Sequence, residues 1–233
     1  MTERLVTGEE MKQLDAFTIE HHGVPSLVLM ERAALASVEV LHEENFDLTR
    51  AVVFCGAGNN GGDGFAIARL LHLAQVDIKL VFVGHMDKRS PETIKQQEIA
   101  ESYGLSVTNM KDVSVTSTKD LSIPGTASDR NALKNVGTTT VIDAIFGIGS
   151  LRAPECFYLD AIKLINKLRS DGPDTKVLAI DIPSGVSADT GETPGEAVRA
   201  DVTVTFAYKK TGLTLPPGKD LAGKIIVKDI GIY

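Results

Sequence analysis

The spacing of apolar residues changes along the chain, and each change marks a new kind of element. Over the first 45 or so residues apolar positions recur at helical intervals. Thr7-Gly8-Glu9-Glu10 reads as a capping box, in which the Thr7 hydroxyl and the Glu10 carboxylate cap each other's backbone donors. A helix to about His22 follows, with Met11, Leu14 and Phe17 or Thr18 on one face, and Gly23 and Pro25 end it. Ser26 is a candidate cap for a second helix to about Glu43, with Leu27, Met30, Ala34, Val38 and Leu41 on one stripe. Then the apolar runs become short and unbroken. Residues 51–55 and 78–83 read as strands buried on both faces. Segments 105–108, 138–142, 176–180, 202–206 and 224–227 read as further strands. Helices are expected over 62–75, over 91–103 with Ser90 as cap and Pro91 first, and over 157–169. Segment 109–137 is polar, rich in Ser and Thr, and reads as an irregular excursion with a short strand near 113–115.

Strands alternating with helices of this length imply a parallel sheet. The expected fold is α/β: a Rossmann-like three-layer sandwich with a mostly parallel central sheet, helices on both faces and two leading helices. No linker or repeat divides the chain, so residues 1–233 are read as a single domain.

Composition narrows the function classes. Hydrophobic residues are 43% and charged residues 24%, near globular averages, so a packed core is expected rather than disorder. Lys plus Arg is 24 against 31 for Asp plus Glu, a net charge of −7. That balance disfavours nucleic acid and anionic membrane surfaces as partners. Two cysteines, Cys55 and Cys156, make no disulfide framework, and Cys55 in its apolar run reads as a buried thiol. The five histidines form no H-E-x-x-H, and there is no C-x-x-C, which disfavours zinc. No apolar run reaches the ~18 residues of a membrane span, and Met1-Thr2-Glu3-Arg4 opens no signal-peptide core. A cytoplasmic location is the expectation.

In open α/β sheets ligands bind beyond the carboxyl ends of the strands, so the residues just after each strand carry the information. Three places stand out. After the first buried strand comes Gly56-Ala57-Gly58-Asn59-Asn60-Gly61-Gly62-Asp63-Gly64, which contains G-x-G-x-x-G between strand and helix. Such glycines permit positive φ and close approach of backbone N–H groups to an anion. The next strand delivers no ribose-binding acid, since Gly84-His85 follows it, and this disfavours an ordinary NAD dehydrogenase. No Lys-Ser/Thr follows the glycines either, so the loop is not a P-loop. The second place is Asp143, at a strand end, followed by Gly147, Gly149, Ser150 and Arg152, a candidate anion cradle. The third runs from Asp181 through Pro183, Ser184 and Gly185 to Asp189 and Gly191. Ser184 lies outside any G-x-S-x-G, so a nucleophile elbow is unsupported. Asp189 reads as an Asx-turn residue. Two strand-end acids with Asn60 opposite make an oxygen-rich pocket, suited to a hard cation or to proton transfer.

At these three motifs the sequence resembles the NAD(P)H-hydrate epimerase family, the domain often called YjeF N-terminal. Gly58-Asn59-Asn60-Gly61-Gly62-Asp63-Gly64 is the most specific match, followed by residues 141–149 and 181–191. The likeness extends over nearly the whole chain and is least clear over 109–137. It implies an enzyme that interconverts the R and S hydrates of NADH and NADPH (NAD(P)HX) for an S-specific dehydratase. It also implies site roles. Asn59, Asn60, Gly61, Gly62 and Asp63 would contact the hydrate. Gly147, Ile148, Gly149, Ser150, Leu151, Arg152 and Ala153 would cradle its phosphates. Asp181 would face the reacting ring as the catalytic residue. Asn60, Asp143 and Ser184 would hold one potassium ion per subunit. A homodimer and a separate dehydratase are implied as partners. The competing expectation is a non-enzymatic binding or scaffold module on the same fold. The complete Asn59-Asn60-Gly61-Gly62-Asp63 run and both strand-end acids favour catalysis over it.

Overall fold

Runs such as Ala51-Val52-Val53-Phe54-Cys55 can be buried only if both faces of the strand are covered, and the architecture follows from that. The computed structural model describes residues 4–117, 120–122, 140–149, 152–172 and 174–232. In chain order the elements begin with β1 (Leu5–Val6), α1 (Gly8–Glu20), α2 (Ser26–Glu43), β2 (Arg50–Cys55), α3 (Asn59–Leu73) and β3 (Asp77–Phe82). They continue with α4 (Pro91–Ser102), β4 (Val107–Asn109), β5 (Ser114–Ser117), β6 (Asp120–Ser122), β7 (Thr140–Ala144) and α5 (Cys156–Asp171). The last are β8 (Lys176–Ile180), β9 (Val202–Phe206), β10 (Lys209–Lys210), α6 (Gly218–Leu221) and β11 (Lys224–Lys228).

Seven strands form one sheet in the order β11-β9-β8-β7-β2-β3-β4, and every pairing is parallel. Alternate residues feed two cores. Val53, Cys55, Ile142, Ala144, Leu178 and Ile180 join the core made with α2, α3 and α4. Val52, Phe54, Val141, Val177 and Ala179 join the core made with α5. The three-layer expectation therefore holds. From β2 the chain steps outward to β3 and β4, then returns to β7 and steps the other way to β8 and β9. Right-handed crossovers made in opposite directions put their helices on opposite faces. They also leave a crevice between the loops that follow β2 and β7, the switch point at which such sheets bind ligands.

Several local expectations are met. Thr7 and Glu10 form the reciprocal capping box, and the Ser90 hydroxyl caps α4 with Pro91 in its first turn. Cys55 is buried. Others are corrected. Pro25, not Ser26, is the N-cap of α2; the Ser26 hydroxyl instead donates to Glu92 Oε1 at 3.0 Å. On α1, Met11 and Thr18 are buried, whereas Phe17 is 47% exposed and stacks on His21. The 105–108 strand is displaced to Val107–Asn109, and the short strand near 113 is Ser114–Ser117, paired antiparallel with β6. Residues 123–139, most of the unclear excursion, lie outside the described residues. Three short strands were not expected: β6, and β1 and β10, which pair parallel with Leu5 opposite Lys209 and Val6 opposite Lys210. Among the described residues no helix is long and apolar enough to cross a membrane.

Candidate functional site

The glycine-rich segment differs from its expected form. Helix α3 starts at Asn59, not near Gly62, with extended Gly58 as a cap that offers no side chain. None of Gly56, Gly58, Gly61, Gly62 and Gly64 has positive φ. Close approach is what they supply. A methyl at Gly56 would overlap the Ile145 carbonyl, and one at Gly61 would overlap the Gly56 carbonyl. At Gly64 it would sit 2.7 Å from Ala144 Cβ and 2.8 Å from Cys55 Sγ. The first turn of α3 is thereby pressed onto the ends of β2 and β7. The Gly56 N–H donates to Ala144 O at 2.9 Å, and the Thr93 hydroxyl donates to Gly58 O at 2.8 Å. Gly61 and Gly62 face the protein, Gly62 against Met30 and Thr93, so what they offer a ligand is backbone.

The second and third motifs are joined through Asp143 and Ser184, both fully buried. Asp143 lies inside β7 and not after it. Its Oδ1 accepts the Ser184 hydroxyl at 2.6 Å and the Ile145 N–H at 3.3 Å; its Oδ2 accepts the Ser184 N–H at 2.8 Å. Ser184 Oγ in turn accepts the Phe146 N–H at 2.9 Å. Burial pushes the Asp143 carboxyl up to about 6, against the opposing pull of the Ser184 bonds.

Asp181 follows β8 in the left-handed region, with φ of 67°, a conformation few non-glycine residues adopt. Its N–H donates to Val204 O at 2.7 Å. Its Oδ1 pairs with Lys210 Nζ at 2.6 Å and accepts the Thr205 hydroxyl at 3.2 Å. Its Oδ2 turns toward the β7 loop: a methyl at Gly147 would lie 3.2 Å from it and 3.5 Å from Asn60 Cγ. All three motifs therefore meet at Gly147. Asn60 is 8% exposed, and neither its amide oxygen nor its amide nitrogen has a hydrogen-bond partner among the described residues. Asp63, partly buried on the same helix, has its carboxyl pushed well up by burial, with Asp181 and Asp15 adding to the effect.

Asn60, Gly147 and Asp181 are thus brought together, as are Asp143 and Ser184. Asn59, Gly149, Arg152 and Ala153 are exposed, and Ile148 is half-buried. Ser150 and Leu151 lie outside the described residues. Among the described residues no group of three or more His, Cys, Asp and Glu is placed to hold a metal ion. Asp189 is not an Asx-turn residue. Its Oδ1 accepts the Gly8 N–H at 2.6 Å, tying the start of α1 to the third motif, while the Ser187 hydroxyl closes the local turn. Lys210 and Thr205 went unread as site residues.

Comparison with known proteins gives the relatives of the chain. The family described as "YjeF-related protein N-terminus" matches residues 26–212. The NAD(P)H-hydrate epimerase of Limosilactobacillus reuteri (strain ATCC 55730 / SD2112) is 46% identical over 235 residues, covering 100% of this chain and 99% of that protein. The NAD(P)H-hydrate epimerase of Weissella koreensis is 44% identical over 229 residues, covering 98% and 91%. The crystal structure of yeast ynu0 superposes with a TM-score of 0.67 over 97% of this chain and 88% of that one; at 17% identity this speaks to fold alone.

Proposed function

The chain belongs to the YjeF-related protein N-terminus family, and on that premise we propose that it is an NAD(P)H-hydrate epimerase acting in nicotinamide cofactor repair. What carries this reading is the convergence at Gly147 of the Asn60 amide and the Asp181 carboxylate, at the switch point of a parallel sheet. The full-length relatives named for the activity support it.

The hydrated carbon is a carbinolamine beside the ring nitrogen. Loss of the hydroxyl leaves an iminium stabilised by the nitrogen lone pair, and water can return to either face. Asp181 is assigned the proton traffic. It gives a proton to the departing hydroxyl, so that water leaves, and takes one from the water that returns. In between, its carboxylate pairs with the cationic ring. Its Oδ2, free of the Lys210 and Thr205 contacts, is the oxygen that serves. Asn59 to Asp63 and the segment 147–153 are assigned to the ligand, with the first turn of α3 and the glycine loop facing its phosphates.

The donor chemistry suits a potassium ion. Asn60 buries an amide oxygen with no partner among the described residues, and Asp143 and Ser184 add carboxylate and hydroxyl oxygens of the hard-cation type. A bound potassium ion would supply positive charge against the carboxylates and the ligand's phosphates. One domain over 1–233, a homodimer, a separate dehydratase that consumes the S hydrate, and a cytoplasmic setting complete the proposal.

The test is R-to-S exchange of purified NADHX and NADPHX, followed by chromatography with and without the protein. Acceleration is expected, and Asp181→Asn should lower it by about 10²–10⁴-fold. Asn tolerates the left-handed backbone and keeps an oxygen toward Lys210. No acceleration by folded protein in potassium buffer would favour the scaffold reading.

A further inference from the structure

A lysine with only 1% of its surface exposed is unusual, since lysine is almost never fully buried unless it is paired. Lys210 is such a residue, and all three of its ammonium protons have acceptors. It pairs with Asp181 Oδ1 at 2.6 Å, donates to Thr205 Oγ1 at 3.0 Å and donates to Phe206 O at 2.9 Å. Its backbone is held too. Lys210 stands opposite Val6 in the β1–β10 pair, and the neighbouring Thr211 hydroxyl donates to Val6 O at 3.2 Å. The N-terminal segment thus anchors the strand that carries the cation.

The partner of this cation is asymmetric. Asp181 sits on a left-handed backbone with Oδ1 committed to Lys210 and Thr205, and Oδ2 directed at Gly147 in the crevice. A carboxylate at a sheet end can rotate about its χ angles. With one oxygen fixed by two donors, the other keeps a single direction. Lys210 is the cation held against this carboxylate, and among the described residues Asp63 is a second carboxyl that interacts with it.

We propose that Lys210 is a positioning residue of the epimerase reaction: it fixes Asp181 Oδ1, presents Oδ2 to the substrate, and stabilises the carboxylate while the ring is cationic. Lys210 has no contact with the substrate in this scheme; it acts through Asp181. The proposal rests on the epimerase reading.

The experiment compares wild type, Lys210→Met and Thr205→Val in the exchange assay on NADPHX, with kcat and KM measured across pH and thermal melting run alongside. Lys210→Met should lower kcat by about 10²-fold with KM changed by less than about threefold, the signature of an interaction made chiefly in the transition state. The limb of the pH profile that belongs to Asp181 should move to higher pH, because a carboxylate without its cation is harder to ionise. Thr205→Val, close to isosteric, should lower kcat by about tenfold and move the same limb the same way. A folded Lys210→Met with wild-type kcat and pH profile overturns the proposal. If Lys210→Met does not fold, Thr205→Val decides, and an unchanged kcat and profile overturns it. Absence of exchange by the wild-type protein is a different result: it removes the epimerase reading itself, and the role of Lys210 with it.

Discussion

If the glycines of the 56–64 segment are required for close approach and not for backbone freedom, then alanine should be tolerated or rejected according to what its methyl meets. Gly62 and Gly64 provide a matched pair. Both lie in α3, both have ordinary backbone angles, and both gain about 1 kcal/mol of helix propensity on becoming Ala. At Gly62 the methyl would meet the tip of Met30, 2.6 Å from Cε and 2.7 Å from Sδ, with Thr93 Oγ1 at 3.2 Å. A thioether on three rotatable bonds can move aside. At Gly64 it would meet Ala144 Cβ at 2.7 Å and Cys55 Sγ at 2.8 Å, both on buried strands in the middle of the sheet. Ordinary contact needs about 3.5–4.0 Å, so helix and sheet must part by nearly 1 Å. Overpacking of that kind typically costs about 1–3 kcal/mol. Set against the propensity gain, Gly64→Ala should destabilise by up to about 2 kcal/mol, and Gly62→Ala should fall between neutral and about 1 kcal/mol stabilising. Gly56→Ala, whose methyl would overlap a backbone carbonyl, should be worse than either. Urea unfolding at constant m-value measures all three. Equal midpoints for the Gly62 and Gly64 variants, or the reverse order, would refute the argument from approach.

Three further outcomes are expected. Replacing choline with potassium in the buffer should raise the melting temperature, by the equivalent of about 1.4 kcal/mol at a tenfold excess over Kd, and Asp143→Asn should remove that increment; an increment unchanged in the variant would exclude Asp143 as a ligand. The Asp63 carboxyl is raised in the fold above its unfolded value, so the stability this group contributes is lost as pH rises above about 4. Asp63→Asn should therefore melt higher than wild type at about pH 7.5, with the gain vanishing near pH 4, and scanning calorimetry at the two pH values checks the sign. Asp189→Ala should cost about 1–2 kcal/mol by leaving the Gly8 N–H at the start of α1 without its acceptor; a change below about 0.3 kcal/mol in chemical denaturation would show that water replaces the contact.

The residues that sequence reasoning located are those whose positions are set locally. Asp143 and Asp181 end apolar runs, and in a parallel sheet strand ends collect at one edge, so two such acids are expected near each other. The residues it missed owe their roles to distant partners. No local pattern marks Lys210; only the fold places it against Asp181. Asp189 follows Ser187 in a loop of turn-forming residues, and its acceptor role depends on Gly8, 181 positions away. Glycine is a poor helix former and the expected helix starts at 62, yet α3 begins at Asn59 because the glycines let its first turns pack on β2 and β7. Tertiary packing overrode propensity there.

Three features that oppose folding meet at the candidate site. An Asn60 amide without partners among the described residues costs about 1–3 kcal/mol, and a left-handed Asp181 costs about 1–3 kcal/mol more. Asp63 adds a carboxyl whose ionisation burial opposes. None of these burdens falls on the cores beneath, where alternate strand residues pack on α3 and α5. All three lie at the carboxyl edge of β2, β7 and β8, and Gly147 touches two of them. A cation accepting the Asn60 oxygen and a ligand meeting Asp181 Oδ2 would each relieve one of these costs. Ligand binding and stability should therefore be strongly linked in this protein, and the same substitutions that relax the crevice should make it more stable and less active.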